Sequence, residues 1–401
     1  MSASPGGAAP RSALRKDHVP ELDGLRGIAV LLVLWQHVPA MVIPYAVFGV
    51  QRAVIGEFQG GEWPIWFDGL RDAFVQAGYL GVDTFFVLSG FLITRILRAE
   101  RATGAPLRHF LLRRVLRIFP IYYLTLAVVW IVHPGSELPW CAAYLSNFRF
   151  AFHDHGGGWL SHTWSLAIEE HFYLLWPLCV YGCADRTAFR IAAYGIVPFA
   201  LLAAVASAWH WRSDAPFVEY LLQVGTPYRA LSLALGALLA FGEPLLRAAP
   251  RRTAWYGALG VVSGYALHLV PALLDRGSPP TTTLAVLRLC GFATTASGLV
   301  AAGIACSGGA ALWARALRSR SLRYVGRISY GLYLYHYVVY HGSGIYALDA
   351  AKPSTALHVA GAIAASFCIA ALSFAVLERP ILNYAARFRA RRVVTSPPPA
   401  A

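Results

Sequence analysis

Four short stretches of this sequence put polar side chains of reactive type inside apolar surroundings. The first, LDGLRGIAVLLVLWQHV, carries Asp23, Arg26 and His37. Arg26 and His37 are eleven positions apart, which at 100° per residue brings them within about 20° of one helical face. One stripe thus holds an acid and a base at one end and an imidazole about 16 Å further along. The second, LRRVLRIFPIYY, sets Arg113 and Arg114 four and three positions before Arg117, a double row of guanidiniums whose forks suit phosphate. The third, TWSLAIEEHFYLLWP, carries Glu169, Glu170 and His171. Adjacent carboxylates point to different sides of a helix, so one of the two can readily share a cavity with His37. The fourth, RISYGLYLYHYVVYH, places Tyr333, His336 and Tyr340 on one polar aromatic face. These types suggest proton transfer at an imidazole beside a carboxylate, fed by a phosphate-bearing donor held on the arginine row. Simpler readings stand beside this one: Asp23 pairing with Arg26 at an interface, arginines placed by topology alone, and tyrosines that only pack.

The elements that must position these groups follow from composition. Of 401 residues, 57% are hydrophobic and 13% charged, against roughly 25% charged in soluble domains. So few charges cannot cover a water-exposed surface, and disordered, collagen-like and disulfide-scaffold classes fail on composition as well. An all-α, polytopic transmembrane bundle remains. Runs of about 20 apolar residues predict about ten spans, at 24–43, 79–97, 115–133, 164–183, 190–209, 226–243, 254–273, 284–306, 325–346 and 355–377. The span at 226–243 is short and carries Arg229. With a cytoplasmic N-terminus, 23 Lys and Arg fall in inside segments and six in outside loops, which places both termini in the cytoplasm.

The net charge of +14 is spread in short clusters between apolar runs, which reads as topology rather than a nucleic-acid surface. The six cysteines lie mostly in apolar stretches, and no Cys/His cluster has metal-ligand spacing, so no metal is expected. Residues 1–17 are expected to be a disordered basic segment and 386–401 a basic, Pro-rich cytoplasmic tail. Two outer loops, 44–78 and 134–163, hold Trp63, Trp66, Trp140, His153, His155, Trp159 and His162, either an interfacial aromatic belt or a cover over a cavity mouth. In this topology His37, Glu169 and His336 can meet in the middle or outer half of the bilayer, while the arginine row stays at the cytoplasmic side.

Six motifs in order then resemble one family: ELDGLRG with Arg26 and His37, FFVLSGF (Phe85 to Phe91), RRVLRIFPIY (Arg113 to Tyr122), WSLAIEEHFY (Trp164 to Tyr173), ISYGLYLYH (Ile328 to His336) and LERP (Leu377 to Pro380). Together they resemble the acyltransferase 3 family of membrane O-acyltransferases over about residues 18–385. The resemblance implies a ten-helix bundle in the bacterial inner membrane. It implies acyl-CoA as donor substrate, with no permanently bound cofactor, and a hydroxyl of a glycan or glycosylated acceptor. It also implies that Arg26 and His37 are needed for transfer, that Arg114 and Arg117 serve the donor side, and that Glu169 is the acidic residue of its motif. Many envelope-modifying relatives append an SGNH-type domain. None is read here, so direct acylation or hand-over to a separate periplasmic transferase is expected.

Acyl transfer to a hydroxyl needs a held donor, a base and charge stabilisation of a tetrahedral intermediate. The expected assignment gives CoA phosphates to Arg114 and Arg117, with Arg113. His37 is the general base, oriented or charged by Glu169. Arg26 lines the donor tunnel or stabilises an oxyanion, and Asp23 fixes Arg26. Ser89, Tyr333 and His336 are secondary members, Ser89 as a potential acyl carrier. The rivals are a secondary transporter, disfavoured by the lack of repeat symmetry, and a non-catalytic partner in polysaccharide assembly.

Overall fold

The computed structural model describes residues 19–38, 78–154, 158–274, 282–348 and 353–388. The expectations for 1–17, Trp63, Trp66, His155 and 389–401 lie outside these residues. Among the described residues every regular element is helical. The principal helices are α1 Pro20–His37, α2 Tyr79–Ala102, α3 Leu107–Val132 and α4 Trp164–Gly182. Then come α5 Asp185–His210, α6 Ala215–Val224, α7 Thr226–Ala248 and α8 Pro250–Leu274. Last are α9 Thr282–Ala305, α10 Arg320–Gly342 and α11 Pro353–Ser373, which runs on through a π-helical turn, Phe374–Glu378.

Each of the ten expected spans overlaps one of these helices, α6 being the short extra. Among the described residues six helices are long and apolar enough to cross a membrane: α2, α3, α5, α7, α9 and the stretch Ser354–Phe388. The other four long ones are those with embedded polar groups: Glu21, Asp23 and Arg26 on α1; Glu169, Glu170 and His171 on α4; Arg251, Arg252 and His268 on α8; His336, His341 and three arginines on α10. On α1, α4 and α10 these chemistry-bearing side chains dilute the apolar run.

The bundle is apolar outward and partly polar inward. Trp130 is 65% exposed, Leu174 63% and Leu202 69%, whereas Asp83, Thr94, Ser232 and His336 are fully buried. Apolar outer surface is what a lipid environment requires, and polar groups face the bundle interior. Helix approach is set by glycine rather than by large side chains. A Cβ on Gly27 would run into the Leu322 carbonyl and on Gly326 into the Asp23 carbonyl, so α1 and α10 pack backbone against backbone, and a Cβ on Gly24 would meet the Leu317 carbonyl of the short helix Leu312–Leu317 before α10. Gly90 of α2 and Gly236 of α7 meet the Leu233 and Val87 carbonyls in the same way.

Candidate functional site

Helices α1, α2, α3, α4 and α10 enclose a cavity of about 80 Å3 whose polar wall includes Arg26, Ser89, Arg114, Arg117, Glu169 and Tyr333. Ser89 comes from the middle of α2, where Gly90 beside it admits α7. Its Oγ donates to Glu169 Oε1 at 2.7 Å. Tyr173, one helical turn beyond Glu169, donates to Oε2 at 3.0 Å and lies 3.0 Å from the serine oxygen. A carboxylate buried in a bundle needs such donors, because stripping its water without replacement is costly. Arg114 stands over the Tyr173 ring at 5.0 Å and the Phe110 ring at 5.6 Å, which holds a cation at the cavity edge without consuming its fork. Arg26 Nε is buried without a hydrogen-bond partner. With Glu169 and Glu170 the only acids on this wall, three guanidiniums leave it cationic.

One of the expected donor-side residues, Arg113, is held elsewhere. Arg113 forms an ion pair with Glu100 and donates to the Phe388 carbonyl at 2.6 Å, tying α2, α3 and the C-terminal segment together outside the cavity. Asp23 lies 3.9 Å from Arg323, across the α1–α10 contact.

His37 is the last residue of α1, and its Nδ1 is 3.0 Å from Nε2 of His336. Nδ1 of His336 is 3.1 Å from the Leu332 carbonyl. A carbonyl only accepts, so that Nδ1 carries the hydrogen and Nε2 of the neutral ring is the acceptor. Nδ1 of His37 is therefore the donor, and Nε2 of His37 is left bare. Tyr337 packs edge-on to His37 at 4.8 Å, and His162 lies edge-on to His336 at 5.6 Å. His162 precedes α4, outside the spans, where burial and then the neighbouring His37 push its imidazole down to about 3. Tyr333 separates this imidazole group from the cavity: its hydroxyl donates to the His162 carbonyl at 2.9 Å and touches Ser165 Oγ, and its ring is 5.8 Å from His336.

The expected His37–Glu169 pairing is not formed. Glu169 is taken by Ser89 and Tyr173, and His37 by His336. The apolar run after His37 suggests a span continuing to residue 43, but α1 ends at His37, and Tyr333 with Ser165 stands between the imidazoles and the Glu169 carboxylate.

A family profile, the acyltransferase domain, covers residues 19–375 of this chain. The chain belongs to the acyltransferase 3 family. It is similar to peptidoglycan O-acetyltransferase OatA of Listeria monocytogenes, with 29% identity over 93% of this chain and 58% of that protein. It is also similar to YrhL of Bacillus subtilis, with 30% identity over 94% of this chain and 57% of that protein. O-acetyltransferase OatA of Staphylococcus aureus matches at 30% identity over 57% of this chain and 35% of its own length. The chain thus spans under two thirds of the length of these relatives. No solved structure matches it significantly. A chain of this family with several membrane-crossing helices among its described residues is a multi-pass membrane protein.

In this member of the family, spacing within single helices gave no hint of the buried ion pair between Asp83 of α2 and Arg229 of α7, at 2.8 Å with both side chains at most 5% exposed. Ser232 donates to the other Asp83 oxygen at 2.5 Å, and Arg229 Nε donates to the Gln223 carbonyl at 2.7 Å. The available hint was Arg229 itself, the charge that made 226–243 the weakest span. Tyr173 and His162 also escaped notice as site residues, although both lie in or beside the WSLAIEEHFY motif. Among the described residues no group of acids, histidines and cysteines is arranged to hold a metal ion.

Proposed function

We propose that this acyltransferase moves an acetyl group from acetyl-CoA to a hydroxyl of a cell-envelope glycan. The observation that carries this reading is the convergence of Arg26, Arg114 and Arg117 on one cavity that ends at Tyr333, against the His37–His336 pair. Arg114 and Arg117 hold the CoA phosphates, and the pantetheine arm runs through the cavity toward Tyr333. The acceptor hydroxyl gives its proton to Nε2 of His37 as its oxygen attacks the thioester carbonyl. Arg26, with its unpartnered Nε, lines the donor tunnel beside Arg114 and Arg117. Collapse of the tetrahedral intermediate breaks the C–S bond, and the leaving thiolate takes the proton back from the imidazolium. A positioned base of this kind contributes about 10² to 10⁴ in rate. Glu169, with Ser89 and Tyr173, balances the arginines. Arg113 and Asp23 support the arrangement through Glu100 and Arg323.

The similarity to peptidoglycan and other O-acetyltransferases supports a glycan acceptor. The charge distribution of the sequence supports ten spans with both termini cytoplasmic, in a bacterial inner membrane, so donor and acceptor approach from opposite faces. A separate transferase at the outer face fits that arrangement as well as direct acylation does. The test is reconstitution in lipid nanodiscs with acetyl-CoA and a soluble glycan fragment. Glycan-dependent thiol release together with an acetylated product is expected; thiol release with no glycan dependence overturns the acceptor class.

A further inference from the structure

A second, smaller space of about 40 Å3 lies among the start of α2, α6 and the starts of α7 and α9, lined by Tyr79, Glu219, Gln223, Arg229, Arg288 and Phe292. It shares a level with the imidazole pair: Gly78, next to Tyr79, packs on Gln36, next to His37. Along α2, Tyr79 and Ser89 are ten residues or about 15 Å apart, so this space and the arginine cavity sit toward opposite ends of one helix. We propose that it is the acceptor subsite, taking the hydroxyl-bearing edge of a sugar ring and presenting a neighbouring hydroxyl to His37. The proposal rests on the glycan reading above and adds where and how the glycan is held.

The side chains decide the chemical class. Arg288 Nη1 is paired with Glu219, while its Nε is buried with no hydrogen-bond partner. Arg229 is already used by Asp83 and the Gln223 carbonyl, and forms a fixed floor. What remains is a guanidinium N–H, a carboxylate shared with Arg288, and the Gln223 amide and Tyr79 phenol, which bond each other and keep their other donor and acceptor positions. An anion would want donors alone, a metal ion oxygen ligands alone, and a lipid tail neither. Vicinal hydroxyls, each both donor and acceptor, match a mixed set of planar polar groups. The Phe292 ring, backed at 4.4 Å by His268, supplies an apolar wall for ring carbons. Size fits an edge rather than a whole sugar. A single water needs about 10–15 Å3, so the space takes roughly three water-sized groups, such as two hydroxyls and a hydroxymethyl, with the rest of the ring at the mouth.

The test uses the full chain in nanodiscs with acetyl-CoA and a soluble muramyl disaccharide as acceptor probe. Two variants are compared with wild type: Gln223→Ala, and Arg288→Lys, which keeps the charge opposite Glu219 but removes the unpaired Nε. Retained acetyl-CoA binding by calorimetry shows that each variant is folded. Each is expected to raise the KM for the disaccharide about tenfold, the cost of one lost hydrogen bond to a charged or buried polar group, with the KM for acetyl-CoA within about twofold of wild type. An acceptor KM unchanged in both variants overturns the subsite, and so does an equal rise in both KM values. A wild type whose thiol release ignores the disaccharide overturns the glycan reading itself, and is seen before any variant is made.

Discussion

Ser89 and Glu169 are eighty positions apart in the chain and joined by a 2.7 Å hydrogen bond in the bundle. The bond closes α2 on α4 at the level where the arginines converge, and Tyr173 completes a triangle of oxygens. The carboxylate is thereby aimed at the cavity instead of at either histidine. Glu169→Gln preserves shape and removes the charge that offsets three guanidiniums. Transfer is expected to fall at least about tenfold, the loss for one charged interaction, with the protein still folded. Thiol release at saturating acetyl-CoA measures it, and wild-type turnover would reduce Glu169 to a packing residue.

His37→Gln is expected to lower turnover by about 10² to 10⁴ while acetyl-CoA still binds, since glutamine can hydrogen-bond but cannot take the hydroxyl proton. His336→Ala should lower kcat more than KM. His336→Gln should restore part of that loss, because its amide oxygen can accept from Nδ1 of His37 and keep Nε2 bare. Near-normal turnover in His37→Gln removes the base assignment.

Arg114→Ala with Arg117→Ala is expected to weaken acetyl-CoA binding by about 1.5–3 kcal/mol per lost charged hydrogen bond, read by calorimetry. Arg113→Ala acts differently. It frees Glu100 and the Phe388 carbonyl, so it should lower the melting temperature and leave donor affinity alone. Equal loss of affinity in Arg113→Ala would put that residue back at the donor.

Asp83→Asn leaves the Arg229 guanidinium buried and uncompensated, and should cost about 3–5 kcal/mol of stability. Unfolding in detergent measures it. The double variant Asp83→Asn/Arg229→Gln should recover most of the loss, since it removes both charges together. A double variant as unstable as the single one would show that the pair holds α2 and α7 by more than charge.

A reporter fused after Arg392 should read cytoplasmic, given the 23-to-6 distribution of basic residues. A periplasmic readout would overturn the span parity and reverse the side assigned to each cavity.

Apolar run length made the helices legible in the sequence, and i,i+3 and i,i+4 spacing with the family motifs made most of the cavity wall legible: Arg26, Ser89, Arg114, Arg117, Glu169 and Tyr333 all reach it. Partners were harder to read. Periodicity reports the face of a helix but not what stands between two such faces, so His37 was given the wrong neighbour. Arg113 shares a face with Arg117, yet Glu100 at the end of α2 claims it first. Asp83 stands alone in GVDTFF, and its partner lies 146 positions away, beyond any local pattern. Long-range pairing of this kind is written in helix packing, not in spacing.

The glycine contacts between α1 and α10 have a mechanical side. Gly27 precedes His37 by ten residues and Gly326 precedes His336 by ten, so each ring rides about 15 Å beyond the point where the two backbones touch. The contact is a fulcrum and the helices are its arms. A tilt of about 4° there displaces a ring by about 1 Å over this reach, enough to part a 3.0 Å hydrogen bond. Alanine at Gly326 would thus blunt an imidazole pair it never approaches, and the tolerance of the reaction to error is set at the far end of the helices from the chemistry.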